Sequence, residues 1–335
     1  MLSLILLIMI ITFPLLIPMF FVAIFFGGGG GLSNKLKKAL TLHADKGLSE
    51  QGLLWLSIFT PLMYAIFFGI IVWSGHSILL TEDGLSNFVR ISAFPLALIS
   101  LSLPLSILVS RLHSTKQTAE QIKITRAKNN IDLFNSHRKD LFSYFSQIGE
   151  VNYLDCIQAK YKLHPKIHKI FFKGTPLLGT PVFCSEAFED IESELSVARQ
   201  HLHSIITNAN PSITYSLYIA NFSPAIYRLS LKLGIPEIYI DLADKSVSVP
   251  FDIKGGGRDK FLTAGRTTDE AIAAFRYIRN FFSNLCDFAG YEEKYTTSES
   301  IKYIDEGLSY RVKIEPPIIE SIHLINIPVG NVTSK

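Results

Sequence analysis

The sequence predicts an α-helical membrane region of two to three spans, joined by a long helical stalk to an α+β cytoplasmic domain. Three observations support this prediction. Long runs without a charged side chain fill the first third of the 335-residue chain, basic residues cluster beside those runs, and from about residue 111 the composition is that of a soluble domain. The mean hydropathy of the chain is positive, which is unusual for a soluble protein.

Three apolar segments are candidates for membrane spans, since no Lys, Arg, Asp or Glu occurs in residues 1–32, 51–81 or 91–110. Eighteen or more such residues can cross a hydrocarbon core about 30 Å thick. The first segment lacks the basic start of a signal peptide, and glycines 27–31 stand where a cleavage site would follow, so it predicts a retained span over 1–32. The other two segments predict a transmembrane helical hairpin over 53–110.

Prolines and tryptophans add detail to these spans. Pro14 and Pro18 are expected to kink the first span. Trp55 and Trp73 lie 18 residues apart in the second span, which is about 27 Å at a rise of 1.5 Å per residue. This spacing fits one tryptophan at each membrane interface, so both are predicted to be interface anchors.

Charges beside the spans predict the orientation, because Lys and Arg are enriched in cytoplasmic loops. The segment 33–52 carries four lysines against two acids, and residues 75–90 carry two acids against one basic residue. Residues 111–130 carry five basic residues against one acid. The N-terminus and 75–90 are therefore expected outside the cell, with 33–52 as a cytoplasmic loop and residues 111–335 also cytoplasmic.

A juxtamembrane helical stalk is predicted over 111–149. Apolar or small side chains recur near helical spacing over 115–148, no Pro or Gly interrupts residues 105–147, and Gly149 ends the helix. The candidate lipid or partner contacts on the stalk are Arg111, Lys116, Lys123 and Arg126. Basic residues beside a membrane can also serve only as topology anchors, so both interpretations stay open.

Ser102, Ser106 and Ser110 recur every four residues on the third span and share one helix face. Small residues at this spacing let membrane helices approach closely, and their hydroxyl groups can bond across the contact. These serines are candidates for ordinary helix packing, for an oligomer interface or for the wall of a pore. The spans contain no Asp, Glu, Lys or Arg, which counts against a transporter or a proton relay.

Residues 150–335 predict the cytoplasmic α+β domain. Its basic stretch over 151–173 places lysines among aromatic residues, which is typical of a surface that contacts phosphate backbones or anionic lipid but also of a solvated face. The candidate contact residues are Lys160, Lys162, Lys166, Lys169 and Lys173. A helix over about 185–207 begins with a cluster of acids, which permits an intramolecular clasp with these lysines.

Further elements of this domain are predicted from local patterns. Thr267 and Glu270 form a capping box and Gly290 a stop signal, so a helix is expected between them. Strand-like runs occur at 237–242 and 246–251, and two more lie in the tail beyond residue 297.

No pattern identifies a catalytic, cofactor or metal site, and the chain is predicted not to be an enzyme. His164 and His168 have the spacing of a metal pair, but the sequence HPKIH lacks the Glu of a metalloprotease. The three cysteines form no CxxC motif and favour a reducing compartment. The glycine run in KGGGRDK, residues 254–260, lacks the ending of a phosphate loop and favours a hairpin connection.

The stalk sequence STKQTAEQIKITRAKNNIDLFNSHRKDLFSYF, directly after apolar segments, resembles bacterial membrane proteins of anti-phage defence loci. It is most similar to the transmembrane effectors of retrons, which are encoded beside a reverse transcriptase and its RNA–DNA product, msDNA. The resemblance covers about residues 50–150. Its Q-T-x-x-Q-I core, which other phage-exclusion proteins share, lies at Gln117, Thr118, Gln121 and Ile122. Retron effectors of this kind have two spans, so the apolar N-terminus departs from the pattern.

The resemblance implies a multi-pass toxin of the bacterial cell inner membrane. It would be silent in complex with the reverse transcriptase and msDNA and, once released by phage infection, would permeabilise the membrane to kill or arrest the cell. The implied partners are that complex, membrane lipid and further copies of the chain, with an indirect link to the host nuclease RecBCD. Two alternatives stay open: a non-lytic phage-exclusion or scaffold protein, and a membrane-anchored hydrolase or nuclease.

Overall fold

The computed structural model describes residues 2–208, 210–235, 242, 244–252, 258–295, 297–308, 319–321 and 323. The chain divides into two compact units, Met1–Lys128 and Asn129–Lys335. The N-terminal unit is helical, whereas the C-terminal unit combines helices with small antiparallel sheets. The predicted order of apolar helices followed by a region with both helices and strands is confirmed.

The α-helices of the N-terminal unit are α1 (Leu2–Phe26), α2 (Leu32–Leu40), α3 (Gly52–Trp73), α4 (Glu82–Ser100) and the first part of α5 (Ser102–Gln147). Three helical stretches are long and apolar enough to cross a membrane: Ile8–Phe26, Gly52–Trp73 and Glu82–Gln147. A turn at Leu101 separates α4 from α5. The predicted cytoplasmic loop 33–52 contains α2 and a 3₁₀ turn at Leu48–Glu50.

Helices α1, α3 and α4 pack side by side, and α3 lies between the other two. The Tyr64 hydroxyl of α3 donates to the Ile11 carbonyl of α1 at 2.7 Å, and nearer the start of α3 the Phe59 ring meets Phe21 at 5.2 Å. At the other end of α3, Trp73 Nε1 donates to Ser92 Oγ of α4 at 2.8 Å. These pairings make α1 antiparallel to α3. The short connection between α3 and α4 makes that pair antiparallel as well.

The prolines of α1, α3 and α4 face inward. Pro14 and Pro18 lie inside α1, which continues as one helix through both. They are buried on the same face as Val22, four residues further on. Pro61 of α3 and Pro95 of α4 are buried too. A proline leaves a backbone carbonyl of the preceding turn without its usual N–H donor, and these sites lie on the faces of the helices that are buried within the bundle.

The C-terminal unit is built from short elements around two long helices. Its helices are the end of α5, α6 (Ile167–Phe171), α7 (Ser185–Thr207), α8 (Pro211–Ser216), a π-helical turn (Leu217–Phe222), α9 (Ser223–Lys232) and α10 (Thr268–Ala289). Its strands are β1 (Glu150–Tyr153), β2 (Ile157–Lys160), β3 (Phe172–Lys173), β4 (Val182–Phe183), β5 (Ser248–Asp252) and β6 (Arg258–Leu262). The strands form separate antiparallel pairs, β1 with β2, β3 with β4, and β5 with β6.

Helix α10 forms the centre of the core of this unit, as its sequence predicts. Thr267 and Glu270 make the capping box, and Gly290 ends the helix in the left-handed region at φ 66°. The seam side chains Phe275, Ile278 and others on that face are fully buried. Helix α7 matches the predicted 185–207, and it packs its own apolar face into the same cluster.

Some strand predictions are confirmed, and others fall outside the described residues. The run 246–251 corresponds to β5, which pairs antiparallel with β6. The glycine run between the two strands lies outside the described residues. Residues 237–241 and the first tail run, 310–317, lie outside the described residues. In the second tail run, Ser321 and His323 are helical instead of extended.

Candidate functional site

A junction between α1, α2 and α3 shapes one end of the N-terminal bundle. Gly27 and Gly52 have no side chain because the backbone of α2 passes close to both. A Cβ at Gly52 would lie 2.6 Å from the Ala39 carbonyl oxygen, and one at Gly27 would lie 2.5 Å from Lys35 Cβ. Helix α2 is therefore held tightly against the ends of α1 and α3, with its lysines at this end of the bundle.

The Gln51 side chain organises the turn that follows α2. It is 1% exposed, and its Oε1 accepts from the His43 backbone N–H at 2.9 Å. Its Nε2 donates to the His43 carbonyl at 3.0 Å and to the Gly47 carbonyl at 3.2 Å. One buried amide thus satisfies several backbone groups, which gives the predicted loop a defined conformation.

The start of the stalk contacts this turn. Lys116 Nζ donates to the Leu42 carbonyl, and Gln117 Nε2 donates to the Ala44 carbonyl at 3.3 Å. The two basic segments predicted to share the cytoplasmic side therefore lie at the same end of the bundle. We call this the basic end, formed by residues 32–51 and 111–117.

Little of the positive charge near the basic end is neutralised by acids of the chain. In the described part of the chain, the ion pair on the stalk joins Lys123 to Glu120 at 3.6 Å, and both side chains are largely exposed. Such an exposed pair contributes little to stability. Arg111 and Arg126 are also exposed. The basic end is therefore suited to an anionic partner or lipid surface.

The serine face of α5 is partly shielded. Ser102, Ser106 and Ser110 are half-buried, whereas most of their neighbours along the helix are exposed. Ser102 Oγ donates to the Ile99 carbonyl at 2.7 Å, and Ser106 Oγ donates to the Leu103 carbonyl at 2.9 Å. Because these hydroxyl protons are already used within the helix, the two serines offer small size and an acceptor oxygen to a neighbour.

Sequence reasoning missed His113 on this face. It follows Ser106 and Ser110 at spacings of seven and three residues, so it continues the same helix face. His113 is 4% exposed, and neither ring nitrogen has a hydrogen-bond partner among the described residues. A buried imidazole without partners is unfavourable, so it marks a position where a further polar group would be stabilising.

The two predicted anchor tryptophans both use their indole N–H groups within the protein. Trp55 Nε1 donates to the Ser49 carbonyl at 2.8 Å, near the basic end. Trp73 donates to Ser92, as described above, and its ring lies against Gly69, where a Cβ would come within 2.6 Å of it. Each ring lies at one end of α3, as the spacing predicts, and each also fixes a neighbouring segment.

The lysines of the C-terminal basic stretch are all on the surface: Lys160, Lys162, Lys166, Lys169 and Lys173. The aromatic residues between them are not. Tyr161, Phe171 and Phe172 are at most 5% exposed and belong to the core. The stretch therefore offers charge without aromatic stacking to a partner, a distinction that the sequence pattern did not reveal.

The predicted clasp between these lysines and the acids of α7 forms at one point. Lys173 Nζ lies 3.0 Å from Glu186 Oε2. The other acids pair elsewhere: Asp190 and Glu194 with Lys232, and Glu189 with Lys294. The remaining four lysines of the stretch make no ion pair with any residue that the structure describes, so they stay available to a partner.

The histidines that sequence reasoning considered as a metal pair do not face each other. His168 Nε2 lies 3.1 Å from Nδ1 of His137, on α5. The His137 ring meets the Phe172 ring edge-on, and the His168 ring stacks against it. His164 is exposed. Among the described residues, no group of three or more His, Cys, Asp or Glu side chains is placed to hold a metal ion.

Comparison with known proteins finds no matching family model, curated protein or solved structure. The function is therefore inferred from the residues of the chain itself. The features available for that inference are the apolar helices, the basic end, the serine face with His113, and the exposed lysines of the C-terminal unit.

The buried histidine pair predicts a pH dependence of stability. Burial, together with smaller effects of His137 and Arg138, lowers the pKa of His168 to about 4. Burial also lowers the pKa of His137, against a smaller opposing effect of Asp140. The unfolded chain takes up protons near pH 6.5, so the stabilisation is complete above about pH 6.5 and is lost as the pH falls towards about 4.

We expect the free energy of unfolding to fall by on the order of 1 kcal/mol between pH 7 and 5 through His168. Thermal unfolding of the purified chain at both pH values measures this loss, and His168→Phe should reduce it. The exposed His164→Gln is the matched control and should leave the pH dependence unchanged. Equal pH dependence in wild type and His168→Phe would contradict the prediction.

Proposed function

We propose that the chain is a multi-pass membrane effector of anti-phage defence in the bacterial inner membrane. Its apolar helices insert with residues 33–52 and 111–335 on the cytoplasmic side. A reverse transcriptase–msDNA complex holds it silent, and release on phage infection lets the helices assemble and permeabilise the membrane. The proposal combines the retron resemblance of the stalk with the geometry of the basic end.

The observation that carries the proposal is the contact of Lys116 and Gln117 with the backbone at Leu42 and Ala44. It joins two separate basic segments at one end of a bundle of antiparallel apolar helices. Lys and Arg remain preferentially on the cytoplasmic side of a membrane. A single transmembrane orientation therefore places both basic segments on the cytoplasmic side and the acidic segment around Glu82 on the opposite side.

Assembly is proposed to use the serine face of α5. Small side chains let membrane helices approach closely, and the half-buried Ser102, Ser106 and Ser110 provide such a face. His113 extends it with a buried polar group that has no partner among the described residues. Association of several copies would line a path with hydroxyl and imidazole groups, and such a lesion needs no charged residue within a span.

Restraint is proposed to act through the C-terminal unit. Its four unpaired surface lysines, Lys160, Lys162, Lys166 and Lys169, can contact the phosphates of an RNA–DNA molecule. Nearby in sequence, Leu177 and Leu178 are 67% and 76% exposed. Exposed apolar side chains occur at protein-binding surfaces, and exposed lysines can bind phosphates, which fits a ribonucleoprotein partner that has both protein and nucleic-acid components.

Induced expression of the chain without neighbouring genes tests the proposal. Growth should stop and propidium iodide should enter the cells, because the membrane barrier is lost. Co-expression of the reverse transcriptase and RNA from the same locus should restore growth. Growth arrest with intact membrane potential would contradict permeabilisation and would support the non-lytic scaffold alternative. Recovery of the intact chain in a detergent-free high-speed supernatant would contradict membrane insertion.

A further inference from the structure

An apolar groove of about 620 Å³ lies between α1 and α2. Its lining comes from Phe13, Leu16, Phe20 and Ile24 of α1 and from Leu32 and Leu36 of α2. Several of these side chains are half or more exposed, including Phe20 at 57% and Leu32 at 59%. On a helix that can cross a membrane, an exposed apolar surface of this kind is suited to contact with acyl chains.

The dimensions of the groove match one leaflet of a bilayer. Its lining extends along α1 from Phe13 to Phe25, which is roughly 18 Å at a rise of 1.5 Å per residue. A hydrocarbon core is about 30 Å thick, so a leaflet contributes about half of that. The groove therefore accommodates an acyl chain that enters from the side of the basic end.

Positive charge is concentrated at the end of the groove where α2 crosses α1. Helical periodicity places Leu32 and Leu36 on one face of α2 with Lys35 on its flank, whereas Lys37 and Lys38 lie toward the opposite face. Lys35 lies directly against Gly27, just beyond the end of α1. Helix α2 contains no acid, and Lys35, Lys37 and Lys38 make no ion pair with any described residue. The arrangement is that of an interfacial amphipathic helix.

We propose that this groove is a binding site for an anionic glycerophospholipid. One acyl chain lies along α1 between Phe13 and Phe25, and the phosphate of the headgroup lies beside Lys35, while Lys37 and Lys38 add positive charge from the polar face of α2. The apolar groove binds the acyl chain of the lipid, and the lysines favour a headgroup with net negative charge over a zwitterionic headgroup. The site rests on the membrane insertion of the proposed function, but not on permeabilisation or on the serine face.

Native mass spectrometry of the full chain in a mild detergent tests the site. The probes are phosphatidylglycerol and phosphatidylcholine with identical acyl chains. We expect the wild-type chain to retain phosphatidylglycerol about tenfold more strongly, since each basic residue near a headgroup contributes to binding. The triple variant Lys35→Gln, Lys37→Gln, Lys38→Gln should lose that preference and retain both lipids equally.

A matched triple further along α5, Lys128→Gln, Arg138→Gln, Lys139→Gln, removes the same charge from exposed positions and should keep the preference. Leu32→Trp fills the groove from an exposed position and should weaken retention of both lipids. If the first triple does not fold, the exposed pair Lys37→Gln, Lys38→Gln should still reduce the preference. Equal retention of the two lipids by the wild-type chain, or equal loss of preference in both triples, would overturn the proposal.

Discussion

Asp305→Ala is expected to lower the free energy of unfolding of the C-terminal unit by about 3–5 kcal/mol, which is typical for removal of one partner of a buried ion pair. Asp305 Oδ1 lies 3.0 Å from Arg199 Nε of α7, and the two side chains are 7% and 8% exposed. The substitution would leave the Arg199 guanidinium buried without its anion, with the Arg279 guanidinium nearby, whose Nε lies 3.9 Å from the same carboxylate oxygen.

The segment that carries Asp305 cannot easily move to expose these charges. Arg276 of α10 is buried, and its guanidinium donates to the carbonyls of Ile304 at 2.7 Å, Tyr303 at 2.8 Å and Gly307 at 2.7 Å. The Arg199 guanidinium also lies 5.7 Å from the centre of the Phe275 ring. Both ends of the pair are therefore held by α10, and relaxation after the substitution would be limited.

Chemical unfolding of the purified chain, followed by near-ultraviolet circular dichroism, measures the effect. Glu299→Ala is the matched control, because its carboxylate is 91% exposed and 3.9 Å from Lys302. It should change stability by less than about 0.5 kcal/mol. The double variant Arg199→Met, Asp305→Leu should recover much of the loss, since apolar residues can replace a buried pair. A change below about 1 kcal/mol for Asp305→Ala would contradict the expected burial.

Local signals in the sequence predict the long helices well. The capping box at Thr267 and the stop at Gly290 define α10. Helix α5 likewise ends just before Gly149, which adopts a positive φ of 76°. Each boundary depends only on residues within about one helical turn of it. Hydrophobic runs likewise indicate the three apolar helices, because length and composition alone meet the requirement for a span.

Features that depend on contacts distant in sequence could not be predicted in this way. His137 occupies a core-facing position of α5 because His168 and Phe172 are brought to it from another part of the chain. The apolar stalk positions Ile122 and Ile131 are instead 48% and 38% exposed. Helical spacing fixes which residues share a face, but only packing decides which face is covered.

The same limit applies to the candidate sites. Lysines interleaved with aromatic residues over 151–173 suggested a mixed surface, yet the strand β2 alternates buried Ile157 and Ala159 with exposed Gln158 and Lys160. Two-residue periodicity separates charge from apolar surface along that strand. The helix α2 within the predicted loop 33–52 is not evident from the sequence, because nine residues give a weak periodic signal and its position depends on close contacts at Gly27 and Gly52.

Replacing the serine face is expected to abolish the proposed permeabilisation. In the variant Ser102→Leu, Ser106→Leu, Ser110→Leu, three bulky side chains prevent close approach of a second α5. If each small-residue contact contributes about 0.6 kcal/mol, the three together change the association constant about twentyfold. Propidium iodide entry should fall to the level of uninduced cells, and growth should continue after induction.

Ser100→Leu is the matched control, because Ser100 is exposed at the end of α4 and does not belong to the serine face. It adds the same side chain near the same depth and should leave toxicity unchanged. Immunoblotting of the membrane fraction must show equal amounts of all variants, so that loss of entry reflects assembly and not insertion. Full toxicity of the triple leucine variant at equal membrane levels would show that α5 does not associate through its serines, and His113→Phe would then test whether the buried imidazole acts without them.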